Sequence, residues 1–152
     1  MGLKVSESSQ LDAAAIQAYL EDARIPLRLA VNGSDGCPIV ASHWFEYRGG
    51  QLYCVLHRDA LVAKRLDATG CCGFEVAHES MPYRGVRGQA NIALLPVPAG
   101  GQLKNLFARY GVKEDSQLAT WLLGRIDEEC VLCITPRWVS GWDYSERMSD
   151  VG

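Results

Sequence analysis

Leu27-Arg-Leu-Ala-Val31 runs into the turn Asn32-Gly-Ser-Asp-Gly36 and then into Cys37-Pro-Ile-Val-Ala-Ser-His-Trp-Phe-Glu-Tyr47. A second turn, Arg48-Gly-Gly50, leads to Gln51-Leu-Tyr-Cys-Val-Leu-His57, and a fourth run follows at Cys71-Cys-Gly-Phe-Glu-Val76. Runs of β-branched and aromatic residues broken by Asn-Gly and Gly-Gly predict a hairpin meander. Pro38 stands at the start of its run, where a missing N–H harms the ladder least. Between the third and fourth runs, residues 59–67 have the spacing of a short helix, with Arg58, Lys64 and Arg65 on or beside it.

Working outward, residues 10–22 place Leu11, Ala14, Ala15, Ala18 and Tyr19 at helical spacing behind Ser8 or Ser9 as a cap. Ile25-Pro26 ends that helix, because a residue before proline is pushed out of the α region. Downstream, residues 84–95 predict a long strand whose early glycines imply a bulge or the close approach of another backbone. Leu103, Leu106, Phe107 and Tyr110 form a helical stripe closed by Gly111. Asp115 or Ser116 then caps a helix whose expected inward face is Leu118, Trp121, Leu122 and Ile126. Residues 129–135 and 138–144 predict two last strands divided by Pro136.

About seven mostly antiparallel strands with small helices predict a mostly β fold, a β-barrel with flanking helices, which removes exposed strand edges. The expected organisation is a flexible segment 1–9, one domain over 10–148 and a tail at 149–152. At 152 residues, with 48% hydrophobic and 22% charged residues, the chain has the make-up of one folded core. A net charge of -3 argues against a nucleic-acid partner. No apolar run approaches the roughly 20 residues of a membrane span, and the first ten residues contain no signal-peptide core. A cytoplasmic location is therefore expected.

Six cysteines include the pair Cys130-Val-Leu-Cys133, but on a strand residues three apart point to opposite faces, and a second such pair is missing. They read as core residues and predict no metal site. His43, His57 and His78 are likewise too scattered to form one. No nucleophile elbow, P-loop or dinucleotide fingerprint is present. At the end of the third run, His57 and Arg58 precede Lys64 and Arg65 on the helix. Cations beside the free amides of a helix start suit a phosphate. The plainer reading is a solvated helical face, and the residues leave both open. Tyr83 and Arg84 have the chemistry to stack on and hydrogen-bond a planar polar ring, or else form an ordinary charged loop. Trp138, Trp142 and Tyr144 serve the core or an interface.

On these residues the chain resembles the pyridoxamine 5'-phosphate oxidase-like, flavin-binding split-barrel family. The resemblance is carried by Asp35-Gly-Cys-Pro38 leading to Ser42-His-Trp-Phe45, by Gln51-Leu-Tyr53 with the basic helix, by Pro82-Tyr-Arg-Gly-Val-Arg87, and by Thr135-Pro-Arg-Trp-Val-Ser-Gly-Trp-Asp-Tyr144. It implies a six-stranded antiparallel split barrel of the FMN-binding type, paired as a homodimer with flavin mononucleotide (FMN) in clefts between subunits. By position, Ala41, Ser42, His43 and Trp44 with Val55, Leu56 and His57 would run along the flavin ring and ribityl chain. Lys64 and Arg65, with Arg58, would hold the phosphate. Tyr83 and Arg84 would close the cleft, and Trp142 would line it from the partner. The resemblance thus implies a flavin-mediated oxidoreductase acting on a small-molecule substrate. Deazaflavin and haem are the alternative cofactors, the last in a non-enzymatic binding protein. One departure stands out: the family pattern Ser-x-Lys-x-Arg falls on Ala60, Val62 and Lys64, so a hydroxyl and a cation are missing.

Overall fold

The computed structural model describes residues 2–150. Its strands are β1 (Leu27–Asn32), β2 (Pro38–His43), β3 (Glu46–Arg48), β4 (Gln51–His57), β5 (Cys71–Ala77), β6 (Arg84–Leu95) and β7 (Glu129–Asp143). The helices are α1 (Ala13–Asp22), α2 (Leu61–Thr69), α3 (Gly100–Tyr110) and α4 (Gln117–Gly124). All strands join one antiparallel sheet in the order β2-β1-β5-β6-β7-β4-β3. Its two edge strands, β2 and β3, are consecutive in sequence and separated by Trp44 and Phe45 alone. Such a link spans only about 10 Å at full extension. The sheet must therefore curl until its first and last strands meet, giving a barrel that is hydrogen-bonded everywhere except at the β2–β3 seam. This is a split barrel.

The sheet has seven strands where the resemblance implies six. Residues 37–47, which read as one strand, turn a corner at Trp44 and Phe45 and leave β3 as a separate piece. Conversely, the two predicted last strands are one. Pro136 interrupts nothing, because the register slips between Gln89 and Ala90 and leaves Arg137 as an extra residue opposite them. A bulge is where a strand tolerates a proline.

Alternation fills the barrel. Leu27, Leu29 and Val31 of β1 meet Leu52, Cys54 and Leu56 of β4, Cys72, Phe74 and Val76 of β5, and Leu132 and Ile134 of β7. Ile16 and Leu20 of α1 and Ala63 and Leu66 of α2 plug this core. Asp12, rather than Ser8 or Ser9, caps α1 by accepting from the Ala15 N–H at 2.8 Å. A second cluster lies outside the barrel, where Leu103 and Phe107 of α3 and Ala119 of α4 pack with Val55 and Trp44. Ser116 caps α4. That helix is rotated from its expected face: Ala119, Leu122 and Leu123 turn inward, while Leu118 and Trp121 are exposed. Two turns of helix carry too few residues for periodicity to fix a face.

The segment expected to be flexible, 1–9, is held along β7 over residues 4–6. Val5 bridges Val139 in parallel, and the Ser6 N–H donates to the Val139 carbonyl at 2.8 Å. Met1 and residues 151–152 of the expected tail lie outside the described residues. All six cysteines are free thiols. Among the described residues no helix is long and apolar enough to cross a membrane, and no three His, Cys, Asp or Glu side chains gather as a metal site.

Candidate functional site

A cleft of about 430 Å³ opens where the end of β2, the end of β4 and the start of α2 meet α3 and α4. The β2–β3 corner delivers Ser42, His43 and Trp44 to it, and β4 delivers Val55, Leu56 and His57. Leu103 and Leu106 of α3 and Leu122 of α4 complete the lining, and Ala60, Arg125 and Glu129 join it near His57, which pairs with Glu129 across β4 and β7. The lining is mostly apolar with a few polar groups, the usual composition of a small-molecule site.

The polar groups are unevenly satisfied. His57 Nδ1 accepts from the Asp59 N–H at 3.0 Å, which places the ring proton on Nε2, 3.4 Å from Glu128 Oε2. Trp44 stacks on Tyr110 with ring centroids 5.2 Å apart, so one of its faces is already covered by α3. Glu129 is buried, and its Oε1 accepts from Arg125 Nε at 2.7 Å. Glu129 Oε2 and His43 Nε2 are both buried without a hydrogen-bond partner.

Burial holds the His43 imidazole below its ordinary value of 6.5, with Glu129 opposing the shift. A base depressed in the folded chain binds fewer protons there than in the unfolded chain. Stability is therefore present above pH 6.5 and is lost as pH falls from 6.5 through the lowered folded value. His78 is shifted the same way by burial and by Arg84. Urea-unfolding midpoints measured across this window should fall with acid, and His43→Gln should flatten part of that fall. An unchanged pH slope in the variant would show that His43 does not contribute.

The remaining residues singled out in the sequence lie elsewhere. Ala41 sits on β2 opposite Leu29, outside the cleft lining. Arg58 turns to a separate depression beside Leu95 and Pro96, with a nitrogen 3.4 Å from the Glu129 carbonyl. Arg65 Nε donates to the Asn32 carbonyl at 2.9 Å, and neither residue lines the cleft. Lys64 is exposed on α2 and does not line the cleft. Arg84 borders a second cleft with Tyr19, Asp22, His78 and Asp143, and Tyr83 is exposed in the loop before it. There Tyr19 Oη lies 2.7 Å from His78 Nδ1, and burial pushes the phenol up to about 12. Trp142 packs over Gly85, with the Arg87 guanidinium 5.3 Å from its ring. Within one chain Ser42, His43, Trp44, Val55, Leu56 and His57 share one cleft and Arg84 borders another, while Ala41, Arg58, Lys64, Arg65, Tyr83 and Trp142 line neither.

Sequence reasoning missed Arg125 and Glu129. The one local signal was an acid placed at the head of an otherwise apolar strand run, Glu129-Cys-Val-Leu-Cys-Ile134.

No family model matches the sequence, and neither does any curated protein. Solved structures do. A conserved hypothetical protein of Mycobacterium tuberculosis superposes with a TM-score of 0.75 at 17% identity, over 95% of this chain and 92% of that one. An F420 reductase superposes at 0.66 and 19% identity, over 90% and 98% of the two chains. An FAD-binding protein of Mesorhizobium loti does so at 0.63 and 18% identity, over 86% and 92%. These likenesses show the fold: the chain is a split barrel and shares that fold with these proteins.

Proposed function

We propose that the chain binds a flavin-type cofactor, FMN, in the cleft between β2, β4 and α3, and works as an oxidoreductase on a small molecule. One observation carries this reading: Ser42, His43 and Trp44 share a single apolar cleft with Val55, Leu56 and His57, on a fold shared with a protein named as FAD-binding. The ring portion of a flavin suits the residues present. Apolar walls match its faces, and two buried polar atoms, His43 Nε2 and Glu129 Oε2, want partners of the kind a ring edge carries. Bound flavin would supply hydride or electron transfer, while the protein supplies position and excludes water.

The phosphate portion is less provided for. Ala60, which lines the cleft, caps α2 without a side-chain hydrogen bond. A second reading, a deazaflavin cofactor, is supported by the likeness to an F420 reductase. Pairing of two copies is part of the proposal. The outer face of β1, β5 and β6 carries a groove of about 460 Å³ lined by Gly73, Arg28, Arg87, Trp138 and the exposed Val40.

The test is a fluorescence titration of the purified protein with FMN, with a deazaflavin and with haemin, alongside light scattering. Saturable micromolar quenching by FMN and a dimer mass are expected. Tighter deazaflavin binding would select the second reading. Haemin binding alone, or no binding, would sink the flavin assignment, and a monomer mass would sink the pairing.

A further inference from the structure

Glu129 begins β7 at the polar end of the cleft and is 4% exposed. Arg125 lies one turn earlier, across the short 3-10 turn Ile126–Glu128, and holds Glu129 Oε1 at 2.7 Å. The Arg125 guanidinium also lies 4.2 Å from the centroid of the Trp121 ring, so the arginine is held on both sides. That clamp fixes the carboxylate and leaves Oε2 without a donor. His43 Nε2, on another wall of the same cleft, is equally unpartnered, and neither atom is open to bulk water. A buried carboxylate oxygen with no donor is a site where a ligand N–H gains a charge-assisted hydrogen bond.

We propose that Glu129 is the group by which this cleft selects its ligand. Its Oε2 accepts a hydrogen bond from a ring N–H of a flat heterocycle, and His43 Nε2 meets the polar ring atom next to it. The ligand edge defined in this way is a lactam or cyclic imide, a ring N–H beside a ring carbonyl. Leu56, Leu103, Leu106 and Leu122 supply the flat apolar walls on either side. The pyrimidine ring of a flavin has such an edge, so the inference rests on the flavin reading and names the residue that reads the ring. The phosphate is then secondary to recognition, in keeping with the missing hydroxyl and cation at Ala60 and Val62.

The experiment compares lumiflavin, which has a ring N3–H and no phosphate, with 3-methyllumiflavin, in which a methyl group replaces that hydrogen. Wild type should bind lumiflavin at least about tenfold more tightly, because a site built around a polar partner rejects the analogue lacking it. In Glu129→Gln the amide oxygen turns to Arg125, and the amide N–H₂ then faces the ligand N–H, donor against donor. The preference should shrink to within about twofold, with lumiflavin losing affinity and 3-methyllumiflavin nearly unchanged. Equal binding of the two compounds by wild type would overturn the role of Glu129 and leave the flavin reading standing. If wild type binds neither compound, nor FMN, the flavin reading fails and this inference fails with it. Should Glu129→Gln not fold, the wild-type ratio alone decides.

Discussion

Gly88→Ala is expected to cost the fold about 3 kcal/mol or more, above the usual range for overpacking, because the clash is with backbone. A Cβ at Gly88 would collide with the Trp138 carbonyl oxygen and lie 3.0 Å from the Phe74 ring. Neither neighbour can step aside. Trp138 belongs to β7, which is laddered to β6 from Arg84 to Leu95, and Phe74 is buried in the barrel core. The strain is steric and does not come from the backbone angle, since Gly88 is not among the glycines with positive φ. Gly101→Ala, in the first turn of α3 with nothing near its Cβ, serves as the control. It should be neutral or stabilising by up to about 1 kcal/mol, since alanine lowers the entropy of the unfolded chain. Urea-unfolding midpoints measure both variants. If Gly88→Ala stayed within about 1 kcal/mol of wild type, β6 and β7 could not approach as closely as described.

The strands were legible because alternation is a strong signal, and because Gly36, Gly49 and Gly50 mark turns at positive φ while Gly33 follows Asn32 where the Cys37 carbonyl approaches closely. The glycines of β6 were legible as close approach, and Gly88 beneath the Trp138 carbonyl is the instance. The corner at Trp44 and Phe45 was not legible. It contains no Gly, Pro, Asn or Asp, and only the curl of the whole sheet demands it. Pro136 misled for the opposite reason: a strong local breaker was absorbed by a bulge whose register is set by β6. The cleft divides along the same line. Ser42 to Trp44 and Val55 to His57 come from strand ends that neighbour each other in the barrel, so order along the chain sufficed. Arg65 reads as a phosphate ligand beside His57, yet its side chain spans to the β1–β2 turn, a direction fixed by how α2 lies on the sheet. Arg125 and Glu129 are an i,i+4 pair bridging a 3-10 turn, and the burial of the carboxylate is a tertiary feature that no local pattern marks.

Phe45→Ala should cost about 3–5 kcal/mol, the range for deleting a fully buried phenylalanine. The ring has no solvent exposure and sits in the two-residue corner where the open ends of the sheet meet. Several contacts converge there. The Phe45 N–H donates to Tyr110 Oη at 3.1 Å, and that hydroxyl donates to the Ile25 carbonyl at 2.9 Å. The Arg109 guanidinium lies 4.9 Å from the Phe45 ring centroid and donates to the Ala23 and Leu20 carbonyls at the end of α1, at 2.6 and 2.8 Å. The corner thus ties β2 and β3 to α3 and, through α3, to α1. Tyr110→Phe separates the polar part from the packing. It keeps the stack on Trp44 but strands the buried Phe45 N–H, and should cost about 1–3 kcal/mol. Because Trp44 and His43 immediately precede Phe45, the alanine variant should also weaken ligand binding in the cleft beyond its effect on stability. Binding would be measured at a urea concentration where both proteins stay folded. A stability loss under about 1 kcal/mol for Phe45→Ala would mean that the seam of the barrel holds without its corner, and the curl would then have to come from strand twist alone.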